Sequence, residues 1–97
     1  MSLSNAQKKH LRGLAHALNP VVMIGDKGLS DNVMNEITIA LDHHELIKVR
    51  LRAERDDRAA YLEEIVSATG AEAVQSIGQI VVLFRRNPKN RKISLPA

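Results

Sequence analysis

Gly25, Asp26, Lys27 and Gly28 form a GxxG stretch inside the heptapeptide IGDKGLS, Ile24 to Ser30. An apolar run precedes it and a serine follows. Glycine backbone lets a ligand approach closely, and a helix N-terminus presents unpaired N–H groups with partial positive charge. A phosphate placed there would accept amide hydrogen bonds, with the Lys27 ammonium adding a full charge. Loops of this form clamp nucleic-acid backbones in other folds. A strand-to-helix junction that needs glycine for a tight turn produces the same pattern, so the motif by itself leaves both readings open. Neither the mononucleotide P-loop spacing nor the third glycine of a dinucleotide fingerprint is present.

A second signal is Leu46–Ala53, LIKVRLRA, which alternates strictly. Ile47, Val49 and Leu51 point one way and Lys48, Arg50 and Arg52 the other, each cation about 7 Å from the next on an extended strand. The ends of the chain are basic too. Residues 1–19 carry Lys8, Lys9 and Arg12 and no acid, and residues 85–97 carry Arg85, Arg86, Lys89, Arg91 and Lys92 and no acid. Asp26, Asp31, Glu36, Asp42 and Glu45 dominate the stretch between Pro20 and Glu45. Charge segregated in this way, with a net charge of +3, fits a polyanionic partner. Tyr61 and Phe84, the only aromatic residues, are expected in the core. Aromatic base-stacking platforms are thus not expected, and recognition should address backbone and shape.

Catalytic chemistry finds little material. There is no cysteine, hence no thiolate nucleophile or ligand. His43, His44 and Glu45 are adjacent, and neighbouring helical residues point about 100° apart, so they read as a polar helix end. His10 and His16 lie too far round one helix to share a site. No nucleophile stands at a recognisable spacing from a base. The expectation is no catalytic residue, metal, cofactor or small-molecule substrate.

The elements that position these residues are legible from periodicity. Ser4 and Gln7 make a capping box for a first helix with Leu11, Leu14, Ala15 and Leu18 as its apolar stripe, ending at Asn19-Pro20. Pro20–Ile24 reads as a short strand buried on both faces. Ser30 caps a second helix, stapled by Leu29 on Met34, with Val33, Ile37, Ala40 and Leu41 inward, running to His44 or Glu45. Asp56 or Asp57 is expected to cap a third helix that presents Ala60, Leu62, Ile65, Val66 and Thr69 and stops at Gly70. Two further strands joined through Gly78-Gln79 form a hairpin. The polar tail from about residue 86 is expected to be ordered only near Ile93 and Leu95, or on a partner.

The order α-β-α-β-α-β-β predicts one α/β domain over 1–97, an α+β two-layer arrangement with a four-stranded mixed sheet. Right-handed crossovers put the second and third helices on one face. What covers the other face is left open, the first helix being a candidate for part of it. At 97 residues and 44% hydrophobic, one core is affordable. No stretch approaches the roughly 20 apolar residues of a membrane span, and no signal peptide is visible, so a cytoplasmic protein is expected.

Taken together, LRGLAH, the proline-led strand, Gly25-x-x-Gly28-Leu29-Ser30, HHELIKV, the late glycine before IVVLFR and the ending RKISLP resemble the bacterial single-domain CRM family, the YhbY-like proteins. That resemblance implies a fold similar to the C-terminal domain of bacterial translation initiation factor three, with the last strand inserted between the second and the third. It also implies a non-enzymatic RNA-binding module associated with precursors of the large ribosomal subunit, with its GxxG loop on the RNA surface; the resemblance leaves the oligomeric state open, and a monomer is the expectation. Family loops more often hold small, polar or basic residues between the glycines. Asp26 departs from that pattern, which leaves Lys27 as the side chain expected at the phosphate. The RNA-contacting set is then Gly25, Lys27, Gly28, Lys48, Arg50 and Arg52, extended by Lys8, Lys9, Arg12, Arg85, Arg86, Lys89, Arg91 and Lys92. The alternative is a protein–protein adaptor that uses the acidic second and third helices.

Overall fold

A computed structural model describes residues 3–96; Met1, Ser2 and Ala97, the ends of the expected 1–97 domain, lie outside the described residues. The elements are α1 (Asn5–Ala15), β1 (Pro20–Ile24), α2 (Asp31–His44), β2 (Leu46–Leu51), α3 (Arg55–Thr69), β3 (Glu72–Ile77) and β4 (Ile80–Phe84). The sheet runs β1-β2-β4-β3, so the last strand is inserted between the second and third as the resemblance implies. β1 and β2 are parallel, and β4 is antiparallel to both of its neighbours. The protein is an α+β fold with a mixed sheet. No helix among the described residues is long and apolar enough to cross a membrane.

Strand parity divides the core into two. Val22, Ile24, Ile47, Val49, Leu51, Val81 and Leu83 face α2 and α3, whose Ile37, Leu41 and Ile65 meet them. Leu46, Val74, Val82 and Phe84 face the other way, toward Leu3, Leu11 and Ala15. Helix α1 therefore covers part of the second face. Ser4 closes its capping box, with Gln7 N–H donating to Ser4 Oγ and Ser4 N–H to Gln7 Oε1. Ser30 caps α2 by accepting from Val33 N–H at 3.2 Å.

Four expectations need correction. Helix α1 stops at Ala15, four residues short of Asn19, and Leu14 and Leu18 are 40% and 37% exposed, not part of a buried stripe. The chain tightens there through Leu18 N–H to Ala15 O, leaving α1 too short to reach β1. Strand β1 is accordingly not buried on both faces: it is a sheet edge, with Val21 and Met23 half exposed on the side α1 fails to cover. Glu54, not Asp56 or Asp57, stands at the N-cap of α3, and it makes no side-chain cap bond. The two aspartates fall in the first turn, where the helix dipole favours them. Ala60 is exposed, and half-buried Tyr61 and Leu62 join the buried Ile65 in the core contact of that helix.

The largest departure is the tail, which Glu45 ties down at Arg85–Asn87 and again at Lys92–Ile93. Glu45 is the C-cap of α2, sits at φ 62°, and has a fully buried side chain. Its Oε1 accepts from Lys92 N–H at 2.6 Å and Ile93 N–H at 3.0 Å, and its Oε2 from Asn87 N–H at 2.6 Å. Arg86 Nη1 donates to both oxygens and to Ile93 O at 2.8 Å, with its guanidinium 5.3 Å from the centre of the Phe84 ring. The Glu45 carbonyl accepts from Arg85 N–H. Beyond this knot, Ile93 and Leu95 pack on the α1-side core, while Gln7 and His10 bond the carbonyls of Pro96 and Ser94.

Burial raises the Glu45 pKa and is the largest single effect. The N–H groups of Asn87, Lys92 and Ile93 with the Arg86 charge together outweigh it, so the carboxyl lies below its ordinary value. A depressed folded-state pKa contributes stability in full above the unfolded value of about 4.3, and that contribution is lost as pH falls through the folded value. Glu45→Gln replaces an acceptor with an amide whose NH₂ faces other donors, and should cost about 3 kcal/mol in urea unfolding near neutral pH. The wild-type urea midpoint should fall between about pH 5 and pH 3, and the Gln variant should lose less over the same interval.

Candidate nucleic-acid interface

Parallel pairing of β1 with β2 brings the end of β1, and the loop after it, beside the end of β2. Ile24 O accepts from Arg52 N–H at 2.9 Å. The Gly78-Gln79 hairpin turn arrives at the same edge, where Leu51 N–H reaches Gln79 O. The GDKG loop, Arg50, Arg52 and the hairpin turn thus share one end of the sheet.

The loop is a closed turn. Gly28 N–H donates to Gly25 O at 2.9 Å, and Ser30 N–H to Gly28 O. Gly28 adopts φ +70°, and a Cβ there would lie 3.0 Å from the Tyr61 hydroxyl oxygen on α3. Gly25 has no such constraint: a Cβ would meet nothing within 4 Å. The two glycines therefore do different work. Gly28 lets the turn close against Tyr61, and Gly25 keeps its backbone open to approach. Asp26 and Lys27 are both exposed at the tip.

Lys48 and Arg50 project from the α1-side face of β2, in the same parity as Leu46; the strand stops at Leu51, two residues short of the expected Ala53, so Arg52 lies just beyond it. Lys48 is half-buried and lines a hollow with Arg12 and Ala15 of α1 and with His16, the residue that follows the helix. Lys8 is half-buried and Lys9 exposed on α1. Among the described residues the ion pairs are Arg85 with Asp42 and Arg86 with Glu45, so Lys8, Lys9, Arg12, Lys27, Lys48, Arg50 and Arg52 have no carboxylate partner there.

The tail cations separate into two kinds. Arg85 also donates to Thr69 O at 3.0 Å, and Arg86 belongs to the Glu45 knot, so both guanidinium groups have partners inside the fold. Lys89, Arg91 and Lys92 are exposed. The His43 and His44 rings lie 6.3 Å apart and tilted by 52°, and Glu45 turns inward, so the three residues do not converge on one point.

Residue reasoning missed Glu45, Met23 and Ile77. A lone glutamate between HH and an apolar strand carries no local mark of burial. Val21 and Met23 in PVVMI look like core because nothing polar alternates with them. Ile77 is 64% exposed beside the hairpin turn.

Residues 3–85 match the CRS1 / YhbY (CRM) domain. The sequence is 50% identical over 96 residues to an RNA-binding protein of Haemophilus influenzae, covering 98% of this chain and 96% of that one. It is 44% identical over 93 residues to a probable RNA-binding protein of Pseudomonas aeruginosa, covering 95% and 89%. The fold is similar to the solution structure of a hypothetical Staphylococcus aureus protein proposed to bind RNA, with a TM-score of 0.82 at 38% identity, over 98% of this chain and all of that one.

The asymmetry of the glycine pair is testable by thermal unfolding. Gly28→Ala should cost about 1–2 kcal/mol through the left-handed backbone and the Tyr61 contact, and Gly28→Ala combined with Tyr61→Phe should recover the steric part only. Gly25→Ala should change stability by less than about 0.5 kcal/mol.

Proposed function

The chain belongs to the CRS1 / YhbY (CRM) domain family, and we propose that it is a non-enzymatic RNA-binding protein of the cytoplasm that engages ribosomal RNA of large-subunit precursors during ribosome assembly. In this reading 1–97 is one CRM-type domain acting as a monomer, without cofactor. The observation that carries it is the convergence of the GDKG turn with Arg50 and Arg52 at one end of the sheet, where Lys27 and both arginines lack carboxylate partners among the described residues. The naming of relatives as RNA-binding proteins supports the partner class, and the family likeness supports the ribosomal target.

The mechanism is electrostatic positioning. Gly25 leaves its backbone open at the loop, Gly28 holds the turn closed, and Lys27 stands at the tip for a phosphate. Lys48, Arg50 and Arg52 continue the track across the sheet, and Arg12, Lys8 and Lys9 border it from α1. Lys89, Arg91 and Lys92 extend it along the tail, and Arg85 and Arg86 serve it indirectly by fixing where the tail lies. Affinity should come mainly from counterion release and fall steeply with salt.

Lys27→Ala with Arg50→Ala should weaken binding to ribosomal RNA at least tenfold in a filter-binding titration. The slope of log K against log salt should become shallower by about 1.4, the share of two phosphate contacts on a single strand. Circular dichroism and the melting temperature should be unchanged, since both side chains are exposed. Unaltered affinity would show that this surface is not the RNA contact. Association with large-subunit precursors that survives ribonuclease would point to the adaptor role instead.

A further inference from the structure

Six large aliphatic residues among the described ones are exposed: Leu14, Leu18, Val21, Met23, Ile39 and Ile77. All but Ile39 border the α1-side face of the sheet. Leu14, Leu18 and Val21 line a groove of about 880 Å³ between the end of α1, the start of β1 and the tail. Val21 and Met23 line a hollow with Arg50, and Ile77 and Ile80 line another with Lys48 and Arg12. Registers place Met23, Arg50, Ile80 and Ile77 side by side across all four strands. With strands about 4.8 Å apart this row is about 14 Å long. The lining residues of these three cavities include Arg12, Lys48, Arg50 and Lys92 and no carboxylate.

Exposed aliphatic groups on such a scale mark a contact surface, and the charge around them selects an anionic partner. Resting on the RNA reading above, we propose that the Met23–Arg50–Ile80–Ile77 row is a subsite for unpaired nucleotides, so that the protein prefers single-stranded segments to duplex. The aliphatic side chains cover base faces, and Arg50 and Lys48 hold the adjoining phosphates. A duplex keeps its base faces stacked inside and offers only backbone and groove edges. Extruded bases pack between aromatic or apolar side chains. The absence of an aromatic platform, which makes base stacking unexpected from the sequence, is met here by a flexible methionine and two isoleucines beside a guanidinium.

The test compares an unstructured RNA oligonucleotide with the same strand annealed to its complement, using wild type, Met23→Ser with Ile77→Ser, and Lys27→Ala with Arg50→Ala. Met23 and Ile77 are 52% and 64% exposed, so the Ser variant should keep the wild-type melting temperature to within a few degrees. Covering about 50 Å² of aliphatic surface corresponds to about tenfold in affinity. Wild type should therefore bind the single strand at least tenfold more tightly than the duplex. The Ser variant should lose about tenfold on the single strand only, with the salt slope unchanged.

Equal wild-type affinity for both forms, or no loss in the Ser variant, overturns the subsite. If the Lys27→Ala, Arg50→Ala variant still weakens binding in that case, the RNA reading stands. Wild type binding neither form overturns both. A Ser variant that binds RNA normally but loses ribonuclease-resistant association with a protein assigns the row to a protein partner and also overturns the subsite.

Discussion

A carboxylate withdrawn from water must find donors within the chain, and Glu45 finds them in three backbone N–H groups and one guanidinium. The cost of desolvating such a group is several kcal/mol, so the tail cannot leave while the carboxylate stays buried. The same residue joins α2 to β2 with no loop between them, since α2 ends at His44 and β2 starts at Leu46. Its φ of 62° turns the chain from helix into central strand, a conformation uncommon for a non-glycine residue. With its carbonyl bonded to Arg85 as well, one residue couples α2, β2, the end of β4 and the tail. Helix α1 depends on this in turn, because Ile93, Leu95 and the carbonyls of Ser94 and Pro96 form part of its bed.

From that arrangement follows the shape of the face of the sheet opposite α2 and α3. The tail and α1 together cover the half of the sheet around Leu46, Val74 and Phe84, and α1 ends before it reaches β1. The half toward the GDKG loop is left open, with cations and aliphatics interspersed across it. A sheet face that lacks a helical cover normally carries polar side chains. This one does so on β2 and not on β1, where Val21 and Met23 are half exposed.

Legibility in the sequence tracked the range of the interactions. Capping residues, strand alternation and the hairpin glycine act within a few positions, so Ser4, Ser30, Gly70 and Gly78 marked their elements correctly. Where a neighbour distant in sequence decides the outcome, local pattern failed. Leu14 and Leu18 fit a helical stripe, but Leu14 stands exposed in the last turn of α1 and Leu18 lies beyond its end. Arg85 and Arg86 resemble Lys89 and Arg91 in the sequence. Only the approach of Asp42 and Glu45, more than forty residues earlier, distinguishes cations that hold the tail from cations that face solvent.

The GDKG loop shows the same division within four residues. Its composition determined that a tight, close-approach turn would stand between a strand and a capped helix, because glycine conformational freedom is a property of the residue itself. Which glycine the fold itself requires was decided only when α3 brought Tyr61 against Gly28 and left Gly25 clear. The alternation of Leu46–Ala53 likewise determined that Lys48 and Arg50 would share one side of a strand, which stops at Leu51 before it takes in Arg52. Whether that side would be covered depended on where α1 stopped and where a buried glutamate anchored the tail, and contacts between segments far apart in the chain have no signature at any single position.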